Sequence, residues 1–113
     1  MLESEIAPEL LQQHLQQPAD PDLPRLVLLD VREPWEYQTA HLADSVLMPM
    51  GEVRSRAYNE LDPDDHIVVL CHHGARSLSV TMWLRNEGYE RAQSLAGGID
   101  AWSRTIDPSV PLY

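Results

Sequence analysis

Two short, continuously apolar runs predict strands at Leu26–Leu29 and Ile67–Leu70. Runs of this length without polar alternation are typical of strands buried on both faces of a parallel sheet. We expect Ile67–Leu70 to be the central strand. Further strands are predicted at Ser45–Met48 and Ala92–Leu95, and Glu3–Ile6 is a candidate for a short first strand.

Apolar residues at helical spacing predict helices between these strands. The first helix begins at Pro8, a residue favoured in the first turn, and carries Leu10, Leu11 and Leu15 on an apolar face. It leads into a loop at 18–24, where three prolines prevent regular structure. Shorter helices are expected in the segments 30–37, 52–59 and 99–105.

The clearest helix spans Ser77–Glu87, with Leu78, Met82 and Trp83 on one side and Gly88 as its end. Short apolar strands that alternate with helices predict an α/β fold. We therefore expect a central, mostly parallel sheet of about five short strands flanked by helices. The prediction is a single domain over 1–113, with its core at about 4–105 and an irregular tail at 106–113.

Composition narrows the classes of function. The chain has 113 residues, 43% of them hydrophobic, and a formal net charge of −10. This charge argues against nucleic acid or an anionic membrane as the partner. No apolar run approaches the roughly 20 residues that span a bilayer, and the acidic N-terminal segment lacks the layout of a signal peptide. The cytoplasm is therefore the expected compartment.

Cys71 is the only cysteine, so an internal disulfide and a metal cage of cysteines are excluded. We expect no metal and no cofactor. The thiol follows a predicted buried strand and precedes a predicted helix, where turn N–H groups and the helix dipole favour negative charge. Ligands of parallel α/β sheets bind at the carboxyl ends of the strands. Cys71 is thus placed to act as a nucleophile; the alternative is a small apolar core residue.

The segment His72–Ser77 contrasts with the acidity of the whole chain. It contains no carboxylate and holds one fixed cation, Arg76, together with two titratable histidines. In an acidic protein an anion-binding loop depends on such local donors, because the global field repels anions. The contrast favours a specialised loop over an ordinary surface turn.

Three sequence blocks resemble the rhodanese family, whose single-domain members are sulfurtransferase modules. They are Leu29–Tyr37 with His41 shortly after, then Ile67–Ser77, then Leu95–Trp102. They occur in the family's order, and the resemblance extends from about Ser4 to Trp102. One departure lies after His41, where the family has a glycine-containing turn and this chain has Leu-Ala-Asp-Ser-Val.

The resemblance implies a rhodanese-like fold and a two-step transfer of sulfane sulfur. Cys71 thiolate would attack the outer sulfur of a small anionic donor such as thiosulfate and become a persulfide. A thiol or cyanide acceptor would then remove the sulfur. Backbone N–H groups curved around Cys71 would cradle the anionic sulfur. The implied substrate-binding residues are His72, His73, Gly74, Ala75 and Arg76.

Other functions remain open beside this one. The resemblance also allows a persulfide carrier or a regulatory binding module, either of which would act on a protein partner such as a sulfur-relay protein. Phosphatases and arsenate reductases with related loops place an arginine six positions after the nucleophile. Here that position is Ser77, and Arg76 comes one residue earlier. The tighter loop suits a single sulfur atom better than a phosphate group.

The remaining residues of the three blocks are interpreted as structural. Asp30 and Arg32 are expected to form hydrogen bonds and an ion pair beneath the loop, and His41 to hold a turn in place. His72 and His73 are expected to shape the loop surface rather than to act as acid or base. Gly97–Gly98 is interpreted as a turn that permits close backbone approach near the site. Packing roles are expected for Trp35, Trp83 and Trp102.

Overall fold

A computed structural model describes residues 2–113. Its single sheet contains five strands in the order β1-β5-β4-β2-β3, and all neighbouring strands are parallel. The strands are β1 (Glu5–Ile6), β2 (Leu26–Asp30), β3 (Val46–Leu47), β4 (His66–Leu70) and β5 (Gln93–Leu95). The predicted parallel sheet is confirmed, and β4 is its central strand as expected.

Helices connect consecutive strands and cover both faces of the sheet. They are α1 (Pro8–Gln16), α2 (Pro34–Thr39), α3 (Val53–Glu60), α4 (Ala75–Asn86) and α5 (Gly98–Thr105), with a 3-10 turn at Met50–Glu52. Among residues 2–113, none of these helices has the length and apolar character needed to cross a membrane.

The alternation of side chains along β4 divides the core into two clusters. Val69 packs in one cluster with Leu84 of α4, whereas Val68 packs in the other with Leu11 of α1 and Ile99 of α5. Because both faces of β4 are covered, its residues Ile67–Leu70 are fully buried. The carboxyl end of this strand is therefore held firmly from both sides.

The buried face of α4 differs from the prediction. Met82 is 52% exposed and Leu78 is only partly buried, so the expected apolar face is wrong. The helix instead buries a smaller and partly polar set: Ser77, Val80, Thr81 and Leu84. Small side chains on this face let α4 approach the sheet closely. The predicted end is confirmed, since Gly88 takes a positive φ of 100° directly after the last turn.

Two other packing predictions are also incorrect in part. Of the three α1 leucines, only Leu11 is buried, and Leu10 and Leu15 are 45% and 43% exposed. Trp102 is buried as expected, but Trp35 is 61% exposed. Both α1 and α2 are short, so each touches the core along a narrow stripe and leaves its neighbouring apolar side chains in solvent.

The turn that departs from the family pattern is formed without glycine. Asp44 occupies the left-handed region with φ 62°, the single non-glycine residue to do so within 2–113. Aspartate tolerates this region better than most residues because its short side chain can bond locally. Ser45 closes the same turn, since its N–H and its hydroxyl both donate to Leu42 O.

Candidate active site

Cys71 lies directly after β4, at the carboxyl edge of the sheet, and is 1% exposed. The short loop that follows ends at Gly74, whose φ of 116° turns the chain into α4. The N–H groups of Gly74 and Ser77 point at the thiol, with N···Sγ distances of 3.1 and 3.4 Å. The thiol therefore sits in a small pit lined by backbone donors, which favour a negatively charged sulfur.

Ser77 contacts the thiol, although it is not among the substrate-binding residues that the sequence predicts. Its hydroxyl oxygen lies 3.4 Å from Cys71 Sγ and 2.7 Å from Ser94 Oγ of β5. Both serines are fully buried. A hydroxyl can donate to a thiolate or accept from a thiol, so Ser77 can form a hydrogen bond with Cys71 in either protonation state. Its position six residues after Cys71, in the first turn of α4, is the sequence feature that could have identified it as a site residue.

The start of α5 holds the loop from the other side. Ile99 N–H donates to Cys71 O at 2.8 Å, and Asp100 N–H donates to His72 O at 3.1 Å. Gly98 has φ 64°, and a Cβ atom there would lie within 3.0 Å of both carbonyl oxygens. The close backbone approach expected of Gly97–Gly98 is thus present at the nucleophile itself.

Arg76 is held by a residue of α2. Its guanidinium donates two hydrogen bonds to the Glu36 carboxylate, at 2.7 and 3.0 Å. Glu36 also accepts from the N–H of Glu33 at 3.0 Å and is 5% exposed at its side chain. Two parallel charged bonds of this kind fix both partners. Of the predicted substrate-binding residues, Gly74 reaches sulfur, whereas the charge of Arg76 is paired.

Tyr113 brings the C-terminal tail to the site. Its hydroxyl donates to Glu36 Oε2 at 2.7 Å and accepts from Arg32 Nη1 at 2.8 Å, while its ring stacks on His72 with centroids 3.9 Å apart. Arg32 also forms a fully buried ion pair with Asp30 at 2.6 Å. The tail is irregular as predicted, and the expected Asp30–Arg32 pair is confirmed.

The two histidines form the outer rim of the loop. His72 stacks on His73 with centroids 4.0 Å apart, and burial together with His73 lowers the pKa of His72 below its ordinary value. His73 is exposed, with Nδ1 4.0 Å from Asp100 Oδ2. Ligand-type atoms of His72, His73 and Asp100 lie within 4.8 Å of one another, the spacing of a possible metal site. Asp100 is already held by Arg104 Nε at 2.9 Å.

The dependence of protein stability on acid pH should reveal the Glu36–Arg76 ion pair. Hydrogen bonds from Arg76 hold the pKa of Glu36 at about 2, below its ordinary 4.5. Because its pKa is lowered in the folded state, ionised Glu36 adds on the order of 2–3 kcal/mol to the free energy of unfolding above pH 4.5. This contribution disappears as the pH falls toward 2. In unfolding measurements from pH 6 to 2, we expect Glu36→Gln to lose less of its free energy of unfolding than the wild type loses. Glu60→Gln, which removes an exposed partner of Arg56, should keep the pH dependence of the wild type. If Glu36→Gln also kept that pH dependence, the Glu36–Arg76 pair would not be its cause.

These features define an α/β protein with a buried, amide-lined thiol at the carboxyl edge of its parallel sheet. Residues 7–105 match the family model of the Rhodanese-like domain. The chain belongs to the rhodanese family, and the resemblance noted in the sequence is confirmed.

Relatives and solved structures agree with this membership. The chain is 35% identical over 101 residues to a sulfurtransferase of Allochromatium vinosum, covering 89% of each chain. It is 36% identical over 96 residues to a putative sulfur carrier protein, YrkF, of Bacillus subtilis, covering 85% of this chain and 51% of that one. The crystal structure of a rhodanese-related protein from Thermoplasma volcanium superposes with a TM-score of 0.77 at 27% identity, covering 98% of both chains. Several curated relatives are longer, and the chain spans 30% of one from Arabidopsis thaliana and 22% of one from Ogataea parapolymorpha.

Proposed function

We propose that this chain is a sulfurtransferase that carries sulfane sulfur on Cys71. The thiolate attacks the outer sulfur of a donor such as thiosulfate, the donor's S–S bond breaks, and sulfite leaves with the electron pair. The product is a Cys71 persulfide. A thiol or cyanide then attacks the terminal sulfur, and Cys71 departs as thiolate. The cycle needs no outside oxidant or reductant, because each step breaks one bond to the transferred sulfane sulfur and forms another, so its oxidation level is carried from donor to acceptor.

The observation that carries this proposal is the convergence of Gly74 N–H and Ser77 N–H on one sulfur atom, beside a Ser77 hydroxyl that accepts from the thiol. These donors can stabilise the thiolate and the anionic terminal sulfur without a metal or an acid–base residue. Membership of the rhodanese family and relatives named as a sulfurtransferase and a putative sulfur carrier support sulfur transfer in general.

The position of Arg76 argues against phosphatase or arsenate chemistry. An enzyme that transfers a tetrahedral oxyanion uses an arginine as a fork around two of its oxygens. Here that fork is already occupied by Glu36. The loop therefore offers backbone donors for one atom, and the side chain that would hold a larger anion is engaged elsewhere.

A protein partner belongs to the proposal as well. The persulfide on Cys71 can serve as a carrier form, and a sulfur-relay protein is a fitting acceptor or donor. The exposed rim formed by His73 is where such a partner would make its first contact. A regulatory binding role without chemistry is the weaker alternative, since it gives no reason for donors to converge on the thiol.

Intact mass spectrometry tests the proposed function. We expect the protein to gain the mass of one sulfur atom on incubation with excess thiosulfate and to lose it on addition of cyanide. The reason is that the lone thiol is the single group of the chain able to form a persulfide. Aryl phosphate hydrolysis should be at background under the same conditions.

Two results would contradict the proposal. One is a protein that gains no sulfur from thiosulfate or from an organic persulfide at any tested concentration. The other is aryl phosphate hydrolysis at ordinary enzymatic rates that Arg76→Ala abolishes, since that would show Arg76 holding a phosphate group in spite of Glu36.

A further inference from the structure

Three arginines on or beside the loop each have a carboxylate partner. Arg76 is bound by Glu36 through two hydrogen bonds, and Arg104 by Asp100 at 2.9 Å. Arg32, which contacts Tyr113 beside the loop, is paired with Asp30 (2.6 Å). Paired charges largely cancel at the distance from which a donor approaches. The entrance to Cys71 thus carries fixed cations whose attraction for anions is neutralised.

His72 and His73 do not supply the positive charge that the paired arginines lack. The lowered pKa of His72 leaves its ring neutral near pH 7, and His73 faces the carboxylate of Asp100. The protein as a whole carries a net charge of −10. A small dianion therefore meets a repulsive long-range field, and the arginine of the loop is already paired with Glu36.

We propose that Glu36 is a specificity-determining residue, which by neutralising Arg76 makes the loop prefer sulfane sulfur carried on a thiol over the dianion thiosulfate. An organic persulfide brings at most one negative charge: its anion carries that charge on the terminal sulfur, and its neutral form R–S–SH, which the Cys71 thiolate attacks, carries none. Thiosulfate brings two charges and three oxygens, and the arginine of the loop, Arg76, is already held by Glu36. This inference rests on the proposed function and deepens it.

The reaction with an organic persulfide balances in the same way as with thiosulfate. Cys71 thiolate attacks the terminal sulfur of R–S–SH, the S–S bond breaks, and the thiol R–SH leaves with the proton. The terminal sulfur remains bound to Cys71 as a persulfide anion in the pit formed by Gly74 and Ser77. Glu36 touches none of the reacting atoms and acts through the charge of Arg76.

Glu36 is built to stay ionised in this role. It is buried and accepts from Arg76, from the Tyr113 hydroxyl and from Glu33 N–H. A buried carboxylate with this many donors keeps its negative charge throughout the physiological range. The neutralisation of Arg76 is therefore a permanent property of the fold.

The test compares two donors for loading Cys71. The second-order rate constant of persulfide formation is measured by quenched intact mass with thiosulfate and with the persulfide of 2-mercaptoethanol. In the wild type we expect the organic persulfide to load faster. Glu36→Gln frees Arg76 and should raise the thiosulfate-to-persulfide ratio of rate constants roughly ten-fold, the value of one charged contact. Glu60→Gln, which removes one of the two carboxylates that hold the exposed Arg56 and makes the same change in net charge, is the matched control and should leave the ratio unchanged.

Arg76 variants complete the design. Arg76→Met leaves Glu36 without its partner and should lower the ratio about ten-fold. Combining Arg76→Met with Glu36→Gln removes both charges and should return the ratio to within about three-fold of wild type, because no unpaired buried charge remains. This double variant also guards against misfolding of Glu36→Gln alone.

The outcomes separate the two proposals. If no donor loads Cys71 in the wild type, the proposed function itself fails. If both donors load Cys71 but thiosulfate is faster in the wild type, or if the ratio is unchanged in Glu36→Gln and Arg76→Met, the role of Glu36 is overturned and sulfur transfer stands. If Glu36→Gln does not fold, the ratio in Arg76→Met and in the double variant decides.

Discussion

Replacing Cys71 by serine is expected to abolish sulfur loading entirely. In the proposed reaction the thiolate forms the S–S bond of the intermediate, and a serine hydroxyl at neutral pH is neither ionised nor able to hold a sulfane sulfur. Because Cys71 is the only cysteine, no second thiol can take over. Intact mass after incubation with donor should show no added sulfur under conditions that load the wild type fully.

The same variant should remain folded. The serine hydroxyl is smaller than the thiol and still faces Gly74 N–H and Ser77, so its polar group keeps hydrogen-bond partners. We expect a change of no more than about 1–2 kcal/mol in the free energy of unfolding. Any sulfur gain by the folded Cys71→Ser protein would contradict the assignment of the nucleophile.

Gly98→Ala should cause the largest loss of stability among single glycine substitutions, together with loss of loading. The left-handed φ of 64° costs an alanine about 1–2 kcal/mol. The added methyl would also lie within 3.0 Å of the carbonyl oxygens of Cys71 and His72, which are backbone atoms and cannot rotate away. Overpacking of this kind adds about 1–3 kcal/mol. We expect a total of at least about 2 kcal/mol in denaturant unfolding.

Gly51→Ala is the matched control. An added Cβ there has no heavy atom within 4 Å, and the residue does not need a positive φ. Stability should change by less than about 0.5 kcal/mol, and sulfur loading should match wild type. If Gly98→Ala proved as stable and as active as Gly51→Ala, the close contact between the α5 turn and the nucleophile loop would be refuted.

Local patterns in the sequence were enough to predict the sheet and the position of the Cys71 thiol at its carboxyl edge. The apolar runs around β2 and β4 identify strands buried on both faces, and such strands belong to parallel sheets with helical connections. Cys71 follows β4 directly, so its position at the carboxyl edge is a consequence of strand direction. Gly74 and Gly98, with their positive φ angles, occur where the chain must turn sharply beside it.

Helix faces were predicted less well, for a physical reason. Periodicity shows that a segment is helical, but the face that becomes buried depends on what the neighbouring elements leave room for. In α4 the space beside the sheet suits small residues, so Ser77 and Thr81 are buried and Met82 is exposed. The exposure of Leu10 and Trp35 has the same cause, because α1 and α2 are too short to bury every apolar side chain they carry.

The charge arrangement at the site was decided by tertiary structure alone. Glu36 and Arg76 are 40 residues apart, and Tyr113 lies 77 residues beyond Glu36. Nothing in either segment specifies the other as its partner, because an ion pair needs proximity and geometry rather than a local pattern. The sequence by itself determined a lone thiol at a strand end, with a glycine-bearing loop and an arginine five residues on. The packing of α2 and the C-terminal tail against that loop determined that the arginine is neutralised.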